Sequence, residues 1–213
     1  MGKSTRRLVE SAVMIAIGTV LSMFPFSAPW AFGGGVTICS MLPLVIIAHR
    51  YGTKWGLFTA FVYSVLQLIL GVSNVQFAAG YGFVLAVGVL LLDYILAFTV
   101  IGLSACFNGV IKNHLVSIVV GVVFTFALRF VCHFLSGWII WGVITPNEMG
   151  LVAPLYSLIY NGGYMLPETI ITALVAVLTY KPLKRYWLAE DPAKNRYTKT
   201  PRHKKWRGLF ALL

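Results

Sequence analysis

Apolar residues occur in six long runs separated by short polar, proline- or glycine-rich breaks, and this pattern predicts an all-α chain. The predicted helices cover about Leu8 to Met23, Val36 to Ala48, Trp55 to Leu70, Phe83 to Ser104, Leu115 to Val143 and Pro154 to Tyr180. Pro25 ends the first, and Gly33, Gly34 and Gly35 precede the second, which carries Pro43 inside it. His49, Arg50, Gly52 and Lys54 form a tight basic turn. A loop from Gly71 to Gly82 holds Asn74, Gln76 and Tyr81. Asn108, Lys112, Asn113 and His114 make the next turn, and Pro146, Asn147 and Glu148 mark the last connection. A span of the hydrocarbon core takes about 20 apolar residues, so the pattern reads as a bundle of six transmembrane helices.

Within the fifth run the periodicity carries polar groups. Arg129, His133, Gly137 and Trp141 stand four apart and share one face of a helix. A cation in hydrocarbon is expensive, so this face turns toward other helices or a wet cavity. Gly137 removes side-chain bulk midway along it, leaving space for something flat between His133 and Trp141.

Composition agrees with a membrane chain. Of 213 residues, 59% are hydrophobic and 11% charged, with a mean hydropathy of +0.84, far from the roughly 25% charged residues of soluble domains. The spans use most of the length and leave no room for a soluble catalytic domain. The net charge of +11 does not imply nucleic acid, because the basic residues sit at the membrane edge and in the tail. Lys3, Arg6 and Arg7 precede the first span, Arg50 and Lys54 follow the second, Lys112 follows the fourth, and the rest outside Arg129 lie from Lys181 to Arg207. By the positive-inside rule both termini are cytoplasmic, and the three outer connections carry no charge except Glu148. The domain division is therefore a membrane unit over residues 1–180 and a basic cytoplasmic tail over 181–213 that touches anionic lipid. Leu8 to Phe26 is too long for a signal-peptide core and reads as a retained helix. Cys39, Cys106 and Cys132 lack metal-ligand spacing and read as buried thiols.

Four ionisable groups fall deep in the spans: Asp93, Arg129, His133 and Glu168. Arg129 has two readings, as a ligand contact or as the partner of Asp93 or Glu168 that pins helices together. Asp93 with the adjacent Tyr94 suits an organic cation, which gains both Coulomb attraction and cation–π contact. Asn161, Tyr164 and Glu168 share a face of the sixth helix, where Tyr156 and Tyr160 also lie; an amide and phenols offer directional bonds to a heteroaromatic ring. Trp30, in an outer loop, is either a membrane-belt residue or a lid over an outward pocket. Ala12 to Ala16 and Gly18 to Ser22 have the small-xxx-small spacing of close helix contacts, within the chain or to another subunit. No complete phosphate-binding loop, zinc motif or nucleophile elbow is present, so neither an energy source nor an enzyme is indicated, and no metal or cofactor is implied.

The ordered set His133-Phe134-x-x-Gly137-x-x-x-Trp141, then Tyr156-Ser157-x-x-x-Asn161-Gly162, closely resembles the thiamine-specific substrate-binding (S) components of energy-coupling factor (ECF) transporters. Pro43-Leu44-Val45-Ile46, Arg50-Tyr51-Gly52-Thr53-Lys54 and Asp93-Tyr94-Ile95 extend the resemblance, which spans about Leu8 to Leu178. It implies a six-helix bundle in the cell membrane of a prokaryote, with thiamine near the outer side against Asp93, Tyr94, His133, Trp141, Tyr156 and Asn161, and Trp30 as the loop tryptophan. It also implies partners: a transmembrane T component, contacted through Ala12, Ala16 and Gly18, and two cytoplasmic ATPases. Asp93 stands where the family usually has Glu, which leaves a thiamine precursor or related vitamin as an alternative ligand. The residues alone also allow a solitary proton-coupled carrier in which Asp93, His133 or Glu168 titrates.

Overall fold

The computed structural model describes residues 2–27 and 35–188. Trp30 and the tail beyond residue 188 lie outside the described residues. The described chain is almost wholly helical: α1 (Lys3–Ser22), α2 (Leu42–Tyr51), α3 (Thr53–Leu70), α4 (Val72–Ala79), α5 (Phe83–Ala105), α6 (His114–Ile144), α7 (Ala153–Tyr180) and α8 (Lys184–Trp187). β1 (Phe26–Ser27) and β2 (Gly35–Val36) form a two-residue antiparallel ladder between α1 and α2. The helices α3, α5, α6 and α7 are long and apolar enough to cross a membrane.

Two predicted boundaries need correction. The second helix begins at Leu42, not Val36, and Pro43 therefore occupies its first turn, where the missing N–H has no intrahelical partner to lose. Cys39 turns the chain with φ 57° just before it. The connection predicted as a loop from Gly71 to Gly82 is mostly helix, because α4 finds an apolar surface to cover: Phe77 stacks on Trp141 with ring centroids 6.3 Å apart and planes 10° from parallel.

The short α2 is the central post of the bundle. Every residue from Leu42 to Ala48 is buried, as expected for a helix that is apolar all round. It lies among α1, α3, the last turns of α5 and α8. Those last turns of α5, Val100–Ala105, are wound as a 3-10 helix. They are gripped from two sides, by α3 and by α6. Gly121 of α6 lies so close to Ser104 that an added Cβ would collide with the Ser104 carbonyl. Gly121→Ala is expected to cost about 1–3 kcal/mol through overpacking, read as a lower melting temperature in detergent.

At one end of the bundle Glu10 accepts hydrogen bonds from Arg6 Nε (2.8 Å), Arg50 Nε (2.6 Å) and the Tyr51 hydroxyl (2.5 Å). Arg50 also donates to the Tyr186 carbonyl and stacks over the Tyr186 ring at 4.2 Å. Trp187 is fully buried beside His49. The chain thus stays packed on the bundle past Tyr180, and α1, α2 and α8 are fastened together at the end where the basic residues gather.

Candidate functional site

At the opposite end α5, α6 and α7 spread around a cavity of about 770 Å³. Its walls include Asp93, Phe98, His133, Trp141, Tyr156, Tyr160 and Asn161. Two local features of the helices shape it. Leu90–Ile95 of α5 and Gly137–Trp141 of α6 are π-helical turns, each of which inserts an extra residue and re-aims the side chains beyond it. Asp93 sits within the first and Trp141 ends the second.

Asp93 is held from α6. Its Oδ2 accepts from Ser136 Oγ and from the Trp141 indole Nε1, both at 2.8 Å, and its Oδ1 lies 3.2 Å from His133 Nδ1. The carboxylate is thereby fixed, while Oδ1, with one partner against the two of Oδ2, keeps acceptor capacity. His133 Nε2 is buried and has no partner. With Nδ1–H directed at Asp93, a neutral ring leaves Nε2 as an acceptor within the cavity wall. Phe98 meets the His133 ring edge-on, with centroids 6.5 Å apart.

The α7 side is a ladder of phenols. Tyr156 and Tyr160 lie 5.9 Å apart between centroids, and Tyr160 and Tyr164 5.8 Å. The Tyr164 hydroxyl donates to Asn161 Oδ1 at 2.9 Å. Asn161 Nδ2 donates to the Ser157 carbonyl (3.0 Å), Ser157 Oγ (3.1 Å) and the His133 carbonyl (3.3 Å). Asn161 lines the cavity, yet most of its bonding capacity is spent bracing α7 against α6. Gly137 does the same by absence: a Cβ there would strike Ser157 Oγ, so the space expected beside it is largely filled by Ser157.

Tyr94 also borders the cavity, but its hydroxyl donates to the Gly71 carbonyl (2.9 Å) and accepts from Asn74 (2.8 Å), which ties α5 to the α3–α4 corner. The predicted residues Asp93, Tyr94, His133, Trp141, Tyr156 and Asn161 are therefore all brought to one cavity. Phe98 joins them in the wall, and Ser136, buried behind it, holds Asp93; the sequence singled out neither. A serine four residues after Cys132 and a phenylalanine in an apolar run carry no signal in a single sequence.

Arg129 and Glu168 are not part of the wall. They form a buried ion pair, Nη1 to Oε2 at 2.8 Å, beneath Phe98, over whose ring the guanidinium lies at 5.0 Å. Glu168 Oε1 accepts from Thr37, which also bonds to Ser40 at 2.6 Å. Of the two readings of Arg129, the geometry favours the scaffold. Among the described residues, no lysine or arginine lines the cavity. On α1, Ala12 and Ala16 are exposed, whereas Gly18 is buried against Ser40, Tyr63 and Pro43 and is spent inside the chain. Among the described residues there is no cluster of His, Cys, Asp and Glu able to hold a metal.

Comparison with known proteins places this arrangement. A solved structure of ThiT from Listeria monocytogenes superposes with a TM-score of 0.68 at 23% identity, covering 88% of this chain and 100% of that one. The S component of a bacterial ECF transporter gives 0.54 at 17% identity, covering 86% and 98%. These two establish the helical membrane-bundle fold. In sequence, the thiamine transporter ThiT of Bacillus subtilis is 33% identical over 195 residues, 86% of this chain and 94% of the relative. That of Lacticaseibacillus paracasei is 28% identical over 201 residues, 86% and 91%. The family described as "Thiamine transporter protein (Thia_YuaJ)" matches residues 8–187. A match over the whole described bundle, with a relative one-third identical along nearly all of its length, means that this chain belongs to the thiamine transporter family.

Proposed function

We propose that this chain is the thiamine-binding S component of an ECF importer in a bacterial cell membrane, and that the cavity between α5, α6 and α7 is the thiamine site. The observation that carries this is the anchored Asp93 carboxylate in an aromatic, cation-free cavity. Thiamine joins a permanent thiazolium cation to an aminopyrimidine. The cation gains from a desolvated carboxylate and from ring faces such as Trp141, Tyr156 and Tyr160. The aminopyrimidine amino group suits the unpartnered His133 Nε2. A cavity of about 770 Å³ falls within the usual range for small-molecule sites.

The chain does no chemistry on its ligand. In this reading six segments cross the membrane with both termini in the cytoplasm, and the cavity faces outward. Transport is driven by two partner ATPases through a T component, for which the exposed Ala12 and Ala16 form a close-packing stripe on α1.

The test is titration of the purified, detergent-solubilised protein with thiamine, followed by tryptophan fluorescence. Saturable quenching at submicromolar thiamine is expected, since Trp141 stands in the wall. Silence toward thiamine, in a protein that responds to another cationic heteroaromatic vitamin, would keep transport and change the ligand. A second reading, a solitary proton-coupled carrier, is favoured by the His133–Asp93 hydrogen bond. Thiamine uptake by liposomes holding only this chain, driven by a pH gradient, would establish it instead.

A further inference from the structure

The mouth of the cavity is formed by Thr145, Pro146, Asn147, Glu148 and Met149, between α6 and α7. This connection is short and self-braced. The Asn147 side chain donates from Nδ2 to the Leu151 carbonyl (2.7 Å) and accepts at Oδ1 from the Leu151 N–H (3.1 Å), closing a ring around Glu148 and Met149. Gly150 supplies the φ of +66° that lets the ring close. Glu148 is held at the rim, exposed, and makes no ion pair with any described residue. Among the described residues it is, with Asp93, one of two carboxylates lining the cavity, and no lysine or arginine lines it. It is also the single charged residue in the three connections 24–35, 71–82 and 145–152. No neighbouring charge in those connections offsets its field, and the low-dielectric walls direct that field into the opening.

We infer that Glu148 is the charge filter of the cavity: it draws the cationic vitamin toward Asp93 and repels its phosphate esters. This rests on the cavity being the thiamine site. A rim carboxylate remains solvated and adds little to the bound state, so its effect falls on association and on discrimination between charged ligands, not on dissociation. Thiamine arrives as a cation; its monophosphate brings an added anion, for which this mouth supplies no positive partner. Asp93 sets the depth at which the cation rests, and Glu148 sets which molecules reach it.

Stopped-flow fluorescence with thiamine and thiamine monophosphate on the wild type, Glu148→Asp, Glu148→Gln and Glu148→Lys tests this. In low salt, thiamine association is expected to slow about three-fold in E148Q and about ten-fold in E148K, with dissociation unchanged and the differences shrinking as salt is added. The ratio of monophosphate to thiamine dissociation constants should fall about ten-fold in E148K, while E148D behaves as wild type. Equal association rates and an equal ratio in all four proteins, with thiamine still bound by each, would overturn the filter and leave the site standing. A wild type that binds no thiamine would instead overturn the site.

Discussion

Asp93→Ala is expected to weaken thiamine binding about 100-fold or more, while the protein still folds and purifies. The size follows from what the carboxylate does. Among the described residues it is the only acidic side chain in the inner wall, and a desolvated charge pair broken from one side costs about 2–5 kcal/mol, where each 1.4 kcal/mol is a factor of ten. Its local partners survive its loss differently. Ser136 and Trp141 each lose an acceptor they now reach at 2.8 Å; Trp141 borders a cavity that water can enter, while the buried Ser136 hydroxyl can turn to a carbonyl of its own helix. Asp93→Asn separates charge from shape. An amide accepts from Ser136 or Trp141 at its oxygen and presents N–H groups where the carboxylate presented Oδ1, so binding should fall about ten-fold to thirty-fold, between wild type and alanine. Isothermal titration or tryptophan quenching reads all three. An alanine variant that binds thiamine as tightly as wild type would mean that the ligand's cation rests elsewhere, and the proposed pose would have to be abandoned.

The site was legible from the sequence to the extent that its signals were local. Intramembrane polar residues are few, and Asp93, His133, Trp141, Tyr156 and Asn161 stand out against their apolar runs. They line one cavity, although spacing within a helix could put only His133 and Trp141 on a common face. What spacing could not carry was the division of labour among them. Asn161 and Tyr94 look like ligand groups in the sequence, but their hydrogen bonds are largely taken up by Ser157, His133, Gly71 and Asn74. The π turns were invisible because they add a residue without altering hydropathy, and it is these turns that bring Asp93 to Ser136 and Trp141. In the fold, hydropathy extends α2 back to Val36 and puts Pro43 in mid-helix, whereas the helix starts at Leu42 with Pro43 in its first turn, since hydropathy alone does not separate a buried extended segment from a helical turn. The α4 helix was missed because its glycine-flanked, amide-bearing sequence matches a loop until Phe77 has Trp141 to stack on.

The buried pair of Arg129 and Glu168 carries the second large effect. Glu168 is 2% exposed and Arg129 7%, so removing one partner strands the other charge inside the bundle. Glu168→Ala is expected to destabilise the protein by about 3–5 kcal/mol, seen as a large drop in melting temperature in detergent. The loss has a second component, because Glu168 also accepts from Thr37 and so fixes the segment that leads from β2 into α2. Removing both charges should be far milder. Arg129→Met with Glu168→Leu replaces the pair by apolar groups of similar length, and such exchanges are often neutral or stabilising once neither charge is left alone. Since neither residue lines the cavity, the double variant should recover most of the melting temperature and still quench with thiamine. This outcome separates scaffold from site more sharply than either single variant: a double variant that is stable but has lost thiamine would give Arg129 or Glu168 a part in binding, acting across Phe98 on His133. Recovery of both properties would mean that this buried ion pair serves to set α6, α7 and the approach to α2 in register, and that of the intramembrane charges Asp93 alone acts on the bound ligand.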